Sequence, residues 1–395
     1  MNSNRIYLDN AATTPLRAEV VESMREAAVD AGYNPSSLHS EGRRAAGLLD
    51  SARDRAAAVL GAHRNEIIFT SGGTESDNLA VVGTVRAAGR GARVVCSAVE
   101  HHAVLAAVQA LADDGYQAVV LPVAGDGRVS VAAFAQALRA GASLASVMYA
   151  NNETGVIQPI SELAAAARRQ GVPLHTDAVQ APDWLPIDVP SLDVDLLSLS
   201  AHKFGGPKGV GLLYVRRGTG LHPLLSGGGQ ESGRRAGTEN LAGIAGMVAA
   251  LELAAAGRVQ ASDRVRRLRD RLEDGIRLTV PEATVNGSEA DRLPNICNVS
   301  FAGTDSAALL MALDLAGVAV SAGSACTSGN LEPSHVLDAM GLDAVRRRGA
   351  IRFSLGISTT ADEVNRVLDI LPGIVSDLRR PSVMGAGPMK GRGDG

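Results

Sequence analysis

Apolar runs of four to six residues alternate with longer, Ala-rich stretches of helical period through the first 250 residues. That alternation predicts βα units and a parallel sheet covered by helices. The runs at 66–70, 93–97, 118–122, 144–149, 173–176, 196–200 and 211–215 read as strands, and the stretches 74–88, 103–113, 131–139 and 160–170 as helices. Polar clusters stand just after several of the runs: SGGTES, EHH, NNETG, TDAVQ and SAHK. Parallel sheets gather ligands at the carboxyl ends of their strands, so these clusters mark the candidate site. At 261–272 the pattern changes to a charged amphipathic helix, SDRVRRLRDRLED, which reads as the entry to a second domain. The stretch from 381 to 395 lacks apolar periodicity and is expected to be a disordered tail.

With 395 residues, 46% hydrophobic and 20% charged, the chain has ample material for a large core. A net charge of −4 lacks the basic footprint of extended nucleic-acid binding. Neither a basic-then-apolar leader nor a long uninterrupted apolar stretch is visible, so a cytoplasmic location without membrane contact is expected. Three cysteines, Cys96, Cys297 and Cys326, with no CxxC pair, give neither a disulfide framework nor a structural zinc site. Of 38 basic residues only three are lysines, Lys203, Lys208 and Lys390. Arginine cannot supply a neutral amine, which draws attention to the lysines that survive. Two of them share SAHKFGGPKGVG.

In that segment a predicted strand ends at Ser200 and releases Lys203 into a glycine-rich turn, the setting a Schiff-base lysine needs. A surface lysine or a phosphate loop is the competing reading, although the Walker pattern fails because Gly209 follows Lys208. Asp177 in HTDAVQ suits either a partner for a protonated ring nitrogen or a helix N-cap. The glycines and Thr74 of SGGTESDN lead into a helix, a phosphate-holding arrangement that is weak alone. His101 and His102 lack a partner at metal-ligand spacing, so an imidazole stacked on a planar cofactor is the better use, and no metal is expected.

Taken in order, SGGTES, EHHAV, NNETG, HTDAVQA, SAHKFGGPKGVG, GGGQESGRRAGTEN and SAGSACTSG resemble the cysteine desulfurases of the NifS and IscS type, within the class V aminotransferases. The resemblance runs from YLDNAATTP to RFSLG, nearly the whole chain. It implies an α/β, fold type I pyridoxal-phosphate enzyme: a large domain with a mainly parallel sheet and a smaller α+β C-terminal domain. The expected division is a segment 1–15 packing with the small domain, a large domain 16–260 and a small domain 261–380. The implied reaction converts L-cysteine to L-alanine and moves sulfur onto an enzyme cysteine as a persulfide, for an acceptor such as an iron-sulfur scaffold or a thiolation protein.

Carried over by motif, Lys203 is the implied Schiff-base lysine, Asp177 the pyridinium partner, Gln180 the partner of the ring hydroxyl, and His101 the stacked proton shuttle. Gly73, Thr74, Ser200 and His202 are the implied phosphate binders of pyridoxal 5′-phosphate. Thr238 is expected to reach the phosphate of the other subunit of a homodimer, and Arg352 with Asn152 to clamp the substrate carboxylate. Cys326, in GSACTSGN, is the implied sulfur acceptor on a mobile loop, whereas Cys96 and Cys297 read as buried, inert thiols. The chain departs from the family pattern after HTDAVQA, where PDWLP replaces a Gly-Lys turn. A selenocysteine lyase, a cysteine C–S lyase, an aminotransferase of the same fold, and a non-catalytic sulfur-transfer scaffold are the alternatives.

Overall fold

The computed structural model describes residues 5–30, 32–323 and 334–380; Cys326 and the expected tail at 381–395 lie outside the described residues. The chain opens with a two-residue strand, β1 (Ile6–Tyr7). It then builds a large sheet from β2 (Ile67–Thr70), β3 (Arg93–Ser97), β4 (Gln117–Leu121), β5 (Leu144–Ser146), β6 (Leu174–Asp177), β7 (Leu196–Ser200) and β8 (Gly211–Val215). The order is β2-β8-β7-β6-β5-β3-β4, and only the two pairs made by β8 are antiparallel. A parallel return needs a crossover of about a dozen residues or more. The link from β7 to β8, residues 201–210, is shorter and holds only a 3-10 turn, Ala201–Lys203.

Both faces of this sheet are buried except along its edge strand β4, where Val120 is 53% exposed. Phe69, Val95 and Leu197 pack in one core with the helices Ser40–Leu60, Val131–Leu138 and Ile160–Arg169. Their strand neighbours Ile68, Val94 and Leu196 pack in another with Leu79–Gly83 and His102–Asp113. Two-sided burial explains why the strands read as continuous apolar runs rather than alternating ones. The stretch expected as one helix at 74–88 is helical in three pieces: Gly73–Asn78, a π-helical turn Leu79–Gly83, and Thr84–Ala88. A Cβ on Gly83 would stand 2.8 Å from the His222 carbonyl oxygen. The 221–222 segment thus sits against the widened turn at a distance that only glycine permits.

The second unit adds β9 (Ala283–Val285), β10 (Ile296–Phe301), β11 (Val318–Ala319) and β12 (Ala350–Ser354). Strands β12, β10 and β9 form an antiparallel sheet in that order, and β1 pairs in parallel with β11. The N-terminal segment continues beside β12: Ser354 donates its N–H to the Leu8 carbonyl at 2.7 Å, and Asn10 N–H donates to the Ser354 carbonyl at 3.2 Å. Ile6, Leu8 and Ala11 share a core with Ile351 and Phe353.

One 39-residue helix, Leu241–Thr279, joins the units. The change of pattern at 261 falls inside it and marks a change of packing partner instead of a helix start. Ile244, Met247 and Leu251 pack in the large core, while Val265, Leu272 and Ile276 pack in the small one. By length and composition it is the one helix among the described residues apolar enough to cross a membrane; its buried residues fill these cores. In the divergent PDWLP stretch Trp184 joins the small core, and Asp183 pairs with Arg17.

Candidate active site

A cavity of about 210 Å³ opens at the carboxyl ends of β2, β3, β5, β6 and β7. Ser200 closes β7, and the glycines that follow allow a tight turn: a Cβ on Gly206 would lie 2.8 Å from the Ala201 carbonyl oxygen. That turn brings Lys203 to the cavity wall. Its Nζ donates to the carbonyl oxygens of Ala11 (2.6 Å) and Ala12 (3.0 Å) in the N-terminal segment. Burial, then the charge of Arg352, lowers its pKa to about 8 against the pull of Asp177 and Asp9. Lys208 is exposed and does not line the cavity.

Asp177 ends β6 on another wall, accepts from the Val179 N–H at 2.9 Å, and is raised by burial to about 6. Gln180 spends one amide hydrogen on the Ala11 carbonyl at 2.9 Å. His101 caps the helix His102–Asp113, its Nδ1 accepting from the Ala103 N–H at 3.1 Å, which places the ring proton on Nε2. Crowding by protein atoms and then the charge of Lys203 push this imidazole below its ordinary range, although one edge stays open to solvent. Gly73, Thr74, Ser200, His202 and Asn152 complete the predicted residues that line the cavity. A Cβ on Gly73 would stand 3.0 Å from Val179 Cγ2 and 3.3 Å from Ser200 Cβ, so the absent side chain keeps this corner open.

Arg352 lies on β12, is 3% exposed, and does not itself line the cavity. Its Nη1 donates to the Asn152 backbone oxygen at 2.8 Å and its Nη2 to Asp9 Oδ1 at 2.8 Å. The guanidinium is thus held from both sides near Lys203, whose pKa it lowers. Thr238 is exposed and does not line this cavity. Cys96 and Cys297 are fully buried, and burial pushes both thiols up. Among the described residues no His, Cys, Asp and Glu cluster suits a metal ion.

Sequence reasoning missed a polar layer beneath the cavity. His175 joins Ser146 Oγ (2.8 Å) to Ser198 Oγ (3.0 Å) and is pushed by burial to about 3, so it is neutral. Glu100 accepts from Ser97 Oγ (2.5 Å) and Met148 N–H (2.8 Å), and burial raises it to about 8. Asp77 lines the cavity with a buried Oδ1 that has no hydrogen-bond partner, and burial, then Asp177, holds its carboxyl well up. The available signal was the Ser and His residues inside otherwise apolar strands. The Asp177 carboxyl, the Lys203 amine, the His101 imidazole and the Gly73 corner around one cavity fit a flat ring that carries a basic nitrogen, an aldehyde and an anionic arm.

Residues 6–367 match the family model described as aminotransferase class-V. The chain is 47% identical over 375 residues to a cysteine desulfurase IscS of Dictyoglomus turgidum, covering 95% of each. It is 45% identical over 391 residues to the cysteine desulfurase NifS of Azotobacter vinelandii, covering 98% of this chain and 97% of that one. A solved NifS-like protein superposes with a TM-score of 0.88 at 36% identity, over 95% of this chain and all of the other. With near-complete coverage in each case, and with SGGTES, EHHAV, NNETG, HTDAVQA and SAHK all contributing residues to one cavity, the chain belongs to the class V aminotransferase family and, within it, to the cysteine desulfurases.

Proposed function

We propose that the cavity holds pyridoxal 5′-phosphate on Lys203 and that Cys326 takes the sulfur of L-cysteine. The observation that carries this is Lys203, a half-buried amine with a lowered pKa, sharing a cavity with Asp177. When bound, the cofactor supplies an electron-accepting ring that acidifies the α-proton of an attached amino acid and loosens its Cβ–S bond. Asp177 would keep the ring nitrogen protonated, Gln180 would bond the ring hydroxyl, and Gly73, Thr74, Ser200 and His202 would hold the phosphate. Lys203 would hold the aldehyde as a neutral amine and would serve as the base for the substrate α-proton. His101 would stack on the ring, with its own exchangeable proton on Nε2. Arg352, steadied by Asp9 and the Asn152 carbonyl, meets the substrate carboxylate, and Asn152 lines the cavity beside it.

The balance is Cys326–SH plus L-cysteine giving Cys326–S–SH plus L-alanine. The substrate sulfur leaves Cβ for the Cys326 thiolate, and Cβ gains a proton. In this reading the persulfide passes to an acceptor protein, an iron-sulfur scaffold or a thiolation protein, in the cytoplasm. The enzyme works as a homodimer in which Thr238 serves the neighbour's phosphate site; that it is exposed and does not line its own cavity supports that role. Cys326→Ala tests the nucleophile. It should keep the cofactor's visible absorbance and the early spectral response to L-cysteine, yet form alanine at under about 1% of the parental rate. A near-parental rate would favour a lyase that releases sulfide directly.

A further inference from the structure

Glu153 is 2% exposed and is not among the residues lining the cofactor cavity. Its backbone is pinned: the N–H donates to Asn151 Oδ1 at 2.9 Å, and the carbonyl accepts from Asn298 Nδ2 at 3.1 Å. Its Oε2 accepts a hydrogen bond from Ser334 Oγ at 2.5 Å. A Cβ on Gly323, which has φ +93°, would lie 2.8 Å from that same oxygen. Gly323 and Ser334 are the described residues on either side of 324–333, the stretch that contains Cys326. Both ends of that stretch therefore meet one carboxylate.

Each end is tied further to the substrate side. Ser334 Oγ caps the helix His335–Ala339 through the Leu337 N–H at 3.1 Å. His335 donates from Nε2 to the Glu100 carbonyl at 2.9 Å, and its ring lies 4.6 Å from that of His102. On the other side, Ser321 exchanges backbone hydrogen bonds with Arg352 at 2.6 and 3.2 Å. Residue 152, next to Glu153, receives the Arg352 guanidinium on its carbonyl.

We propose that Glu153 is a positioning residue for sulfur transfer, whose carboxylate fixes the two ends of the Cys326 segment against the turn that holds Arg352. The inference rests on Cys326 being the sulfur acceptor. Burial raises the Glu153 carboxyl, while the Ser334 hydroxyl and the charges of Arg352 and His102 oppose the rise. What the geometry requires is an acceptor oxygen at this point, which glutamine also supplies.

The test uses the full-length holoenzyme and two readouts: solvent exchange of the α-proton of L-alanine, which needs Lys203 and not Cys326, and alanine formation from L-cysteine. Glu153→Ala and Ser334→Ala should each lower alanine formation at least about ten-fold with exchange within about two-fold of the parent. The double variant should be no worse than about two-fold below the weaker single one, because both remove the same contact. Glu153→Gln should stay within about three-fold of the parent. If Glu153→Ala does not fold, Ser334→Ala decides alone. Exchange falling in step with turnover, parental turnover in the alanine variants, or a glutamine variant as poor as alanine would each overturn the proposal. Cys326→Ala separates the two claims: parental turnover there sinks the nucleophile, whereas its loss beside a parental Glu153→Ala sinks the role of Glu153 only.

Discussion

In the role proposed for it, Lys203 meets an acid–base problem that its placement answers. An ordinary lysine is almost wholly protonated at neutral pH and cannot attack an aldehyde. Burial and the nearby Arg352 charge bring the pKa from 10.5 to about 8. Since only the neutral amine reacts, the rate at which cofactor-free protein takes up pyridoxal 5′-phosphate should rise with pH through about 8 and level off above it. Following the visible band after mixing gives the profile; a rate still climbing steeply at about pH 10 would describe an unperturbed lysine. Arg352→Gln should move the midpoint upward, because it removes a charge that opposes protonation. The scarcity of lysine made Lys203 conspicuous in the sequence. Its hydrogen-bond partners were not, because Ala11 and Ala12 act through backbone carbonyls that no residue type announces. Asp77 and Glu100 were equally hard to read, since a carboxyl beside an apolar run looks the same whether it caps a helix or lies buried beneath a cavity.

Among the elements, the strand β8 does more than close the sheet. Gly211 at its start lies against the turn that follows β2: a Cβ there would be 2.6 Å from the Gly72 carbonyl carbon and 2.7 Å from Gly72 Cα. Backbone cannot swing aside as a side-chain tip can, so Gly211→Ala should displace the Gly72–Gly73 corner. The expected result is a lower melting temperature and a cofactor affinity at least about five-fold weaker, measured by thermal unfolding and by titration of the visible band. Unchanged affinity would show that this corner does not bear on the phosphate. Strands 93–97, 196–200 and 211–215 end where their apolar runs end, because each is buried on both faces. The antiparallel sense of β8 was not legible from its own residues; it follows from the short link before it. The π-helical turn was hidden for a related reason, since Gly83 owes its role to His222, which is remote in sequence.

For the molecule as a whole, a site completed by a second copy has a distinctive genetic signature. A Lys203→Ala chain and a Thr238→Val chain, each nearly inactive alone, should recover about a quarter of parental activity after subunit exchange in equal amounts. Half the dimers are then mixed, and one of the two sites in each has both its own lysine and the partner's threonine. No recovery despite demonstrated exchange would count against the shared site. Within one chain, the N-terminal segment ties the large unit to the small. The Ala11 N–H donates to Ser354 Oγ at 2.9 Å, across 343 positions, while the Ala11 carbonyl receives both Lys203 and Gln180. Synthesis on the ribosome runs from the amino end, so these early residues wait for one of the last strands before they can dock. Lys203 acquires its final surroundings only after residue 354 has been made. A nascent or truncated chain that lacks β12 lacks the finished amine environment, so in the proposed role Lys203 would become competent toward an aldehyde only after that strand has docked.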